Sequence, residues 1–61
     1  MLKKLMEQRA EKQSAMQALL DKAKTENRAM TDEEQASFGG LEKEIQAIDA
    51  TIQAEERARN L

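Results

Sequence analysis

Five large apolar residues in the second half of the chain, Phe38, Leu41, Ile45, Ile48 and Ile52, are separated by three, four, three and four positions. That spacing keeps one apolar stripe of a helix turned toward a single neighbour, the seam pattern of a coiled coil. It does not fit a strand, whose faces alternate every second residue. The same phase runs on to Glu55 and Arg59, so the seam fades toward the C-terminus.

The first half repeats the theme less cleanly. Leu2, Leu5, Met6, Met16, Leu19, Leu20 and Ala23 recur at helical spacing. Arg9, Lys12 and Gln13 interrupt this stripe and divide it into two apolar clusters. The expected organisation is a helix over about 2–26, a turn over about 27–31 and a second helix over about 32–59, within one domain of 61 residues.

The turn is marked from both sides. Thr31 and Glu34 have the spacing of a capping box, in which the hydroxyl accepts from a helix N–H and the carboxylate returns to the cap's own N–H. Asp32, Glu33 and Glu34 put negative charge at the positive end of the second helix dipole, and Lys22, Lys24 and Arg28 crowd the negative end of the first. A stop and a start this close together predict an αα-hairpin. The fold class expected is therefore all-α, an antiparallel, coiled-coil-like two-helix hairpin completed by oligomerisation into a helical bundle.

Charge points the same way. Residues 1–30 hold seven basic and four acidic side chains, net +3, and residues 31–61 hold three and eight, net −5. A basic helix folded on an acidic one is complementary along its length, although exposed pairs contribute only about 0.2–1 kcal/mol each. The other reading of these charges is that both are simply solvated faces.

Gly39-Gly40 is discordant. Two glycines in a helix interior cost roughly 2 kcal/mol relative to alanines. They mark either a break, with a new helix from Leu41, or a continuous helix with a bare patch. The seam phase is unbroken from Phe38 to Leu41 to Ile45, and no N-cap residue precedes Leu41, which favours continuity.

Folding the chain about residue 29 pairs positions whose numbers sum to about 58. Leu20 is then expected to meet Phe38, Met16 to meet Leu41 or Glu42, Met6 to meet Ile52, and Arg9 to fall near Asp49. Gln13 falls opposite Ile45, so Ile45 and Ile48 find few apolar partners within their own chain, and the expectation is that they face a second chain. The interaction seam predicted in this way is Phe38, Leu41, Ile45, Ile48, Ile52, Leu5, Met6, Met16 and Leu20. A stripe of Gly40, Ala47, Ala50, Ala54 and Ala58 is small enough to let another helix approach, though alanine also sits on exposed faces as the best helix former.

Chemistry-bearing patterns are absent from the sequence. Without cysteine or histidine there is no thiolate or imidazole for a metal, and no base to activate Ser14 or Ser37. No glycine-rich phosphate loop is present, because Gly39-Gly40 is not followed by Lys-Ser or Lys-Thr. The expectation is a protein that is not an enzyme and takes no cofactor or metal. Lys3, Lys4, Arg9 and Lys12 alternate with Glu7 and Glu11 and have no stacking aromatics, which argues against nucleic acid. No apolar run approaches the roughly 20 residues of a membrane span, and no tryptophan anchors a membrane surface.

Met1-Leu2-Lys3-Lys4-Leu5 is followed by Glu7, Arg9, Lys12, Leu19-Leu20-Asp21 and Ala23. Met30-Thr31-Asp32-Glu33-Glu34 then leads to Phe38, Leu41-Glu42, Glu44-Ile45, Ile48 and Ile52. Together these resemble the N-terminal scaffolding segment, or delta domain, of tailed-bacteriophage major capsid proteins of the Hong Kong type. The likeness runs from Met1 to about Arg59, and its most specific part is the Thr-Asp-Glu-Glu cap with the Phe-x-x-Leu seam behind it. Gly39-Gly40 stands where polar or alanine residues are expected.

The resemblance implies a segment inside the immature shell, in the cytoplasm of a bacterial host, that gathers capsid subunits into the correct lattice. It implies self-association and contact with other capsid subunits. It also implies removal by a maturation protease in many members, and hence absence from the mature virion once cleaved. The chain would be that segment alone, ending at Leu61 ahead of a shell domain. The alternative is a coiled-coil oligomerisation or adaptor domain of an unrelated cytosolic protein, or a designed hairpin.

Overall fold

The computed structural model describes residues 2–60 and consists of two α-helices, α1 (Leu2–Thr25) and α2 (Asp32–Arg59). Residues 1 and 61, the outermost positions of the expected domain, lie outside the described part. The helices fold back on one another as an antiparallel hairpin: Arg9 of α1 reaches Asp49 of α2, and Lys12 reaches Glu44, so partner numbers fall on α2 as they rise on α1. No strand occurs among the described residues.

At 1.5 Å per residue the helices are about 36 and 42 Å long, and the molecule is a rod of 50 × 17 × 12 Å. Its radius of gyration is 14.6 Å, against about 10–11 Å for a compact domain of this length. The least dimension is close to the 10–12 Å diameter of one helix with its side chains. Every seam residue therefore lies within a helix width of solvent, and the burial follows from that. Among the described residues only Ala23, at 6% exposure, and Ile48, at 7%, are buried.

The less exposed side chains of each helix nevertheless trace a heptad seam. On α1 they include Leu2, Leu5, Arg9, Lys12, Met16 and Leu19, at alternating steps of three and four, and the same phase reaches buried Ala23. On α2 the seam begins at Glu34 and runs through Phe38, Leu41, Ile45, Ile48 and Ile52 to Glu55. Carboxylates thus close both ends of the α2 seam.

Ile48 corrects the sequence expectation. It is buried within the hairpin itself and does not wait for a second chain. Counting partners by residue number gave Ile48 only a small residue opposite it, with Arg9 and Lys12 nearby, but arginine and lysine are apolar along most of their length. Arg9 and Lys12 stand half-buried at seam positions with their charges paired to Asp49 and Glu44 on α2, so their aliphatic stems can share in covering the seam. Met6 differs in the opposite sense. It stands one position beyond the seam residue Leu5 and is 53% exposed rather than packed on Ile52.

α2 is continuous through Gly39 and Gly40. Neither glycine adopts a positive φ, and a Cβ built at either would meet nothing within 4 Å. The hairpin therefore demands glycine at neither place, for conformation or for space. Replacing both by alanine is expected to stabilise the hairpin by roughly 2 kcal/mol, read as a higher thermal midpoint in circular dichroism at fixed protein concentration. A midpoint that is unchanged or lower would show that the open space beside them is occupied in solution.

Candidate interaction surface and the turn that shapes it

The surface is set by how the chain reverses direction. Asn27 has φ of 55°, in the left-handed region that asparagine tolerates better than most side chains. Its N–H donates to the Lys24 carbonyl at 3.1 Å, and the Arg28 N–H donates to the Ala23 carbonyl at 3.0 Å. Those two bonds make a Schellman motif with Asn27 in the place usually held by glycine. They satisfy carbonyls that the end of α1 would otherwise leave open.

Four residues later α2 begins at its cap. The Glu34 N–H donates to Thr31 Oγ1 at 3.1 Å, and the Thr31 N–H donates to Glu34 Oε1 at 2.9 Å, so both halves of the capping box are present. The Gln35 side-chain amide adds a bond to the Met30 carbonyl at 3.1 Å.

Arg28 ties the stop to the start. Its guanidinium donates to both oxygens of Glu34, at 2.6 and 3.2 Å, to Glu26 Oε1 at 2.8 Å and to the Ala29 carbonyl at 3.0 Å. The fork geometry suits a bidentate carboxylate partner in a way that lysine could not match. The Glu34 side chain is only 12% exposed. The Arg28 hydrogen bonds, followed by that from the Thr31 backbone, hold its carboxyl at about 2, below the ordinary 4.5. The same contacts raise the Arg28 guanidinium further above its already high value.

The sequence reading places Thr31 and Glu34 correctly in the cap but gives no role to the Asn27 stop or to the Arg28 bridge. An asparagine directly after Lys24-Thr25-Glu26 is a usable signal, since asparagine is the common substitute for glycine at a left-handed helix end. The bridge has no local signal, because it depends on how the turn places positions six apart.

Between the helices, the Arg9 Nε–Asp49 Oδ1 distance is 2.6 Å, where the count about residue 29 places it. The Lys12–Glu44 pair lies beside it. Both sit where α1 lacks apolar seam residues, so charge pairing fills the gap between the two apolar clusters. These groups are partly exposed and contribute orientation more than stability.

Two surfaces remain open. One is the flank of α1 carrying Met6 and, two heptads on, half-buried Leu20. The other is an open depression of about 450 Å³ at the turn, lined by Leu20, Ala23, Lys24, Asn27, Arg28 and Ala29. Its lining offers no hydroxyl, thiol or imidazole, and the Arg28 guanidinium is already committed to two carboxylates. Among the described residues no cluster of three or more acidic, histidine or cysteine side chains could hold a metal ion. Among the described residues no helix is long and apolar enough to cross a membrane. What the arrangement offers is helix surface for packing against other helices.

No family model matches the chain, and neither curated proteins nor solved structures show significant similarity to it.

The turn makes a pH-dependent contribution whose sign follows from Glu34. A carboxyl lowered in the folded state stabilises fully above its unfolded value and loses that contribution as pH falls through its folded value. The hairpin should therefore lose stability between about pH 4.5 and about pH 2 through this group. Thermal midpoints of wild type and Glu34→Gln, compared across that interval, are expected to converge as pH falls. A constant difference would mean that Glu34 is not held by Arg28 and Thr31.

The Arg9–Asp49 pair gives a second expectation. Asp49→Ala should lower stability by less than about 1 kcal/mol, whereas Arg9→Glu, which opposes two carboxylates, should lower it more. The reversed pair, Arg9→Glu with Asp49→Arg, should recover most of that loss in urea unfolding. If the double variant is no more stable than Arg9→Glu alone, the two side chains do not meet in solution.

Proposed function

We propose that this chain is a non-enzymatic assembly segment: a capsid scaffolding domain that brings major capsid protein subunits together in a procapsid through reversible helix–helix contacts. The observation that carries the reading is the incomplete coverage of the hairpin. Ten large apolar residues in and beside its seam, Leu20 and Met30 among them, are neither exposed nor buried, while among the described residues only Ala23 and Ile48 are buried. A helical element built this way gains stability only when further helices cover it.

The mechanism needs no catalytic group. Each contact between segments is weak, and its effect is to raise the local concentration of whatever is attached to the segment. For shell domains, weak contacts multiplied over many copies favour the lattice and still let a misplaced subunit leave. The sequence likeness to delta domains supports shell domains as the cargo, and with them a location inside the procapsid in the host cytoplasm and removal by a maturation protease afterwards.

The test is made on the parent polypeptide. Its reading frame should continue past residue 61 into a shell domain of roughly 250–300 residues. Expression with residues 1–61 should give regular shells by electron microscopy, and expression without them should give aggregates or aberrant particles. Equally regular shells in both cases, or a frame encoding no shell domain, would leave an oligomerisation or adaptor domain as the reading.

A further inference from the structure

We infer that the occupant of the open α1 flank is α2 of a second copy of this chain, so that two hairpins close into a four-helix bundle in which each α1 lies between two α2 helices. This rests on the reading of the chain as a self-associating segment. It adds the number of copies, the flank used and the helix that covers it.

The α1 stripe is the wider of the two. α2 carries its large apolar side chains at strict three–four seam positions only. α1 carries the seam and also Met6 and Leu20 on the adjoining flank, fourteen positions apart and therefore on the same side. A seam widened on one flank is the pattern of a helix inside a bundle rather than a two-helix pair. The hairpin bears this out by leaving Met6 53% exposed.

The chain exposes 4728 Å² for a mass of 6.9 kDa, and a compact monomer of that mass exposes about 4,000 Å². The excess of roughly 700 Å² is close to the ~800 Å² that each partner covers in a stable interface. One further copy therefore suffices.

Charge selects the helix. α1 has a net charge of +3 and α2 of −5 over their described spans. Exposed Lys3 and Lys24, on the same side of α1 as Met6, face like charge if a second α1 covers the flank, and opposite charge if the cover is an α2 whose own flank bears exposed Glu42 and Glu56. Like charges held together are disfavoured and complementary ones steer the encounter. Symmetry then places the second α1 against this α2.

The experiment is sedimentation equilibrium of the 61-residue chain from 5 to 500 µM, with helicity followed in the same samples. Wild type should approach about twice 6.9 kDa. Met6→Glu, which sets a carboxylate against an acidic helix, should weaken dimerisation more than tenfold, and Met6→Lys should weaken it less than Met6→Glu. Met6 lies outside the hairpin's buried residues, and the ordering of the two variants stays readable even if both lose some helix. A wild type that remains monomeric at 500 µM, a trimer or larger species, dimerisation indifferent to both variants, or a stronger effect of lysine than of glutamate would overturn the inference. These outcomes are separable from the shell test. A dimer whose parent forms regular shells without the segment removes the assembly reading alone, and a monomer whose parent needs the segment removes only the bundle.

Discussion

Between Ala23 and Gln35 the chain stops one helix, turns and starts another. Arg28 touches both operations: its backbone N–H closes the Schellman motif of α1, and its guanidinium grips the carboxylate that completes the cap of α2. The hairpin depends on this because its seam is too thin to enforce the reversal alone. With two buried residues among those described there is little apolar gain to offset closing the chain on itself, so the closure has to be built into the turn. A local arrangement of backbone and charge-assisted bonds does this at short sequence separation, where ordering few residues is enough.

What the turn cannot supply is a second layer. Two helices side by side cover each other along one line, and a rod 12 Å thick leaves both flanks of that line open. The outcome is a molecule in which secondary structure is specified strongly and burial weakly. Helix formers, caps and dipole-matched charges define α1 and α2, while almost every large apolar side chain keeps part of its surface in water. Gly39 and Gly40 deepen the imbalance, because they weaken the longer helix where no packing in the hairpin asks for glycine.

The features legible in the sequence were the local ones. Thr31 and Glu34 announce the cap by spacing, the step from Phe38 to Ile52 announces the seam, and the unbroken phase across Gly39-Gly40 favours the single helix that α2 forms. The count about residue 29 also puts Arg9 at Asp49, since an antiparallel pair with a short turn has one free parameter. Ile48 was misassigned because residue type is a poor proxy for what a long side chain covers: a charge at its tip says nothing of the methylenes below. Met6 was misassigned by one helical position, a difference of about 100° that decides between seam and flank. The Arg28 bridge was out of reach, because it arises from the turn's geometry rather than from any periodic pattern.

The charged middle of the α1 seam ties these points together. Arg9 and Lys12 stand where an optimised coiled coil would carry leucine or isoleucine. A polar residue at a seam position lowers stability and fixes register, because only one alignment finds its partner. Asp49 and Glu44 supply that partner here, and sliding α1 by a heptad either way would set Met16 and Leu19, or Leu2 and Leu5, against those carboxylates and leave Lys12 opposite Ser37 or Thr51. A seam of this kind selects one geometry without holding it tightly. Under the assembly reading the two properties are needed together, since a subunit must dock in a single orientation and also leave when its neighbours are wrong. A tighter, wholly apolar seam would secure each contact and surrender the correction of errors.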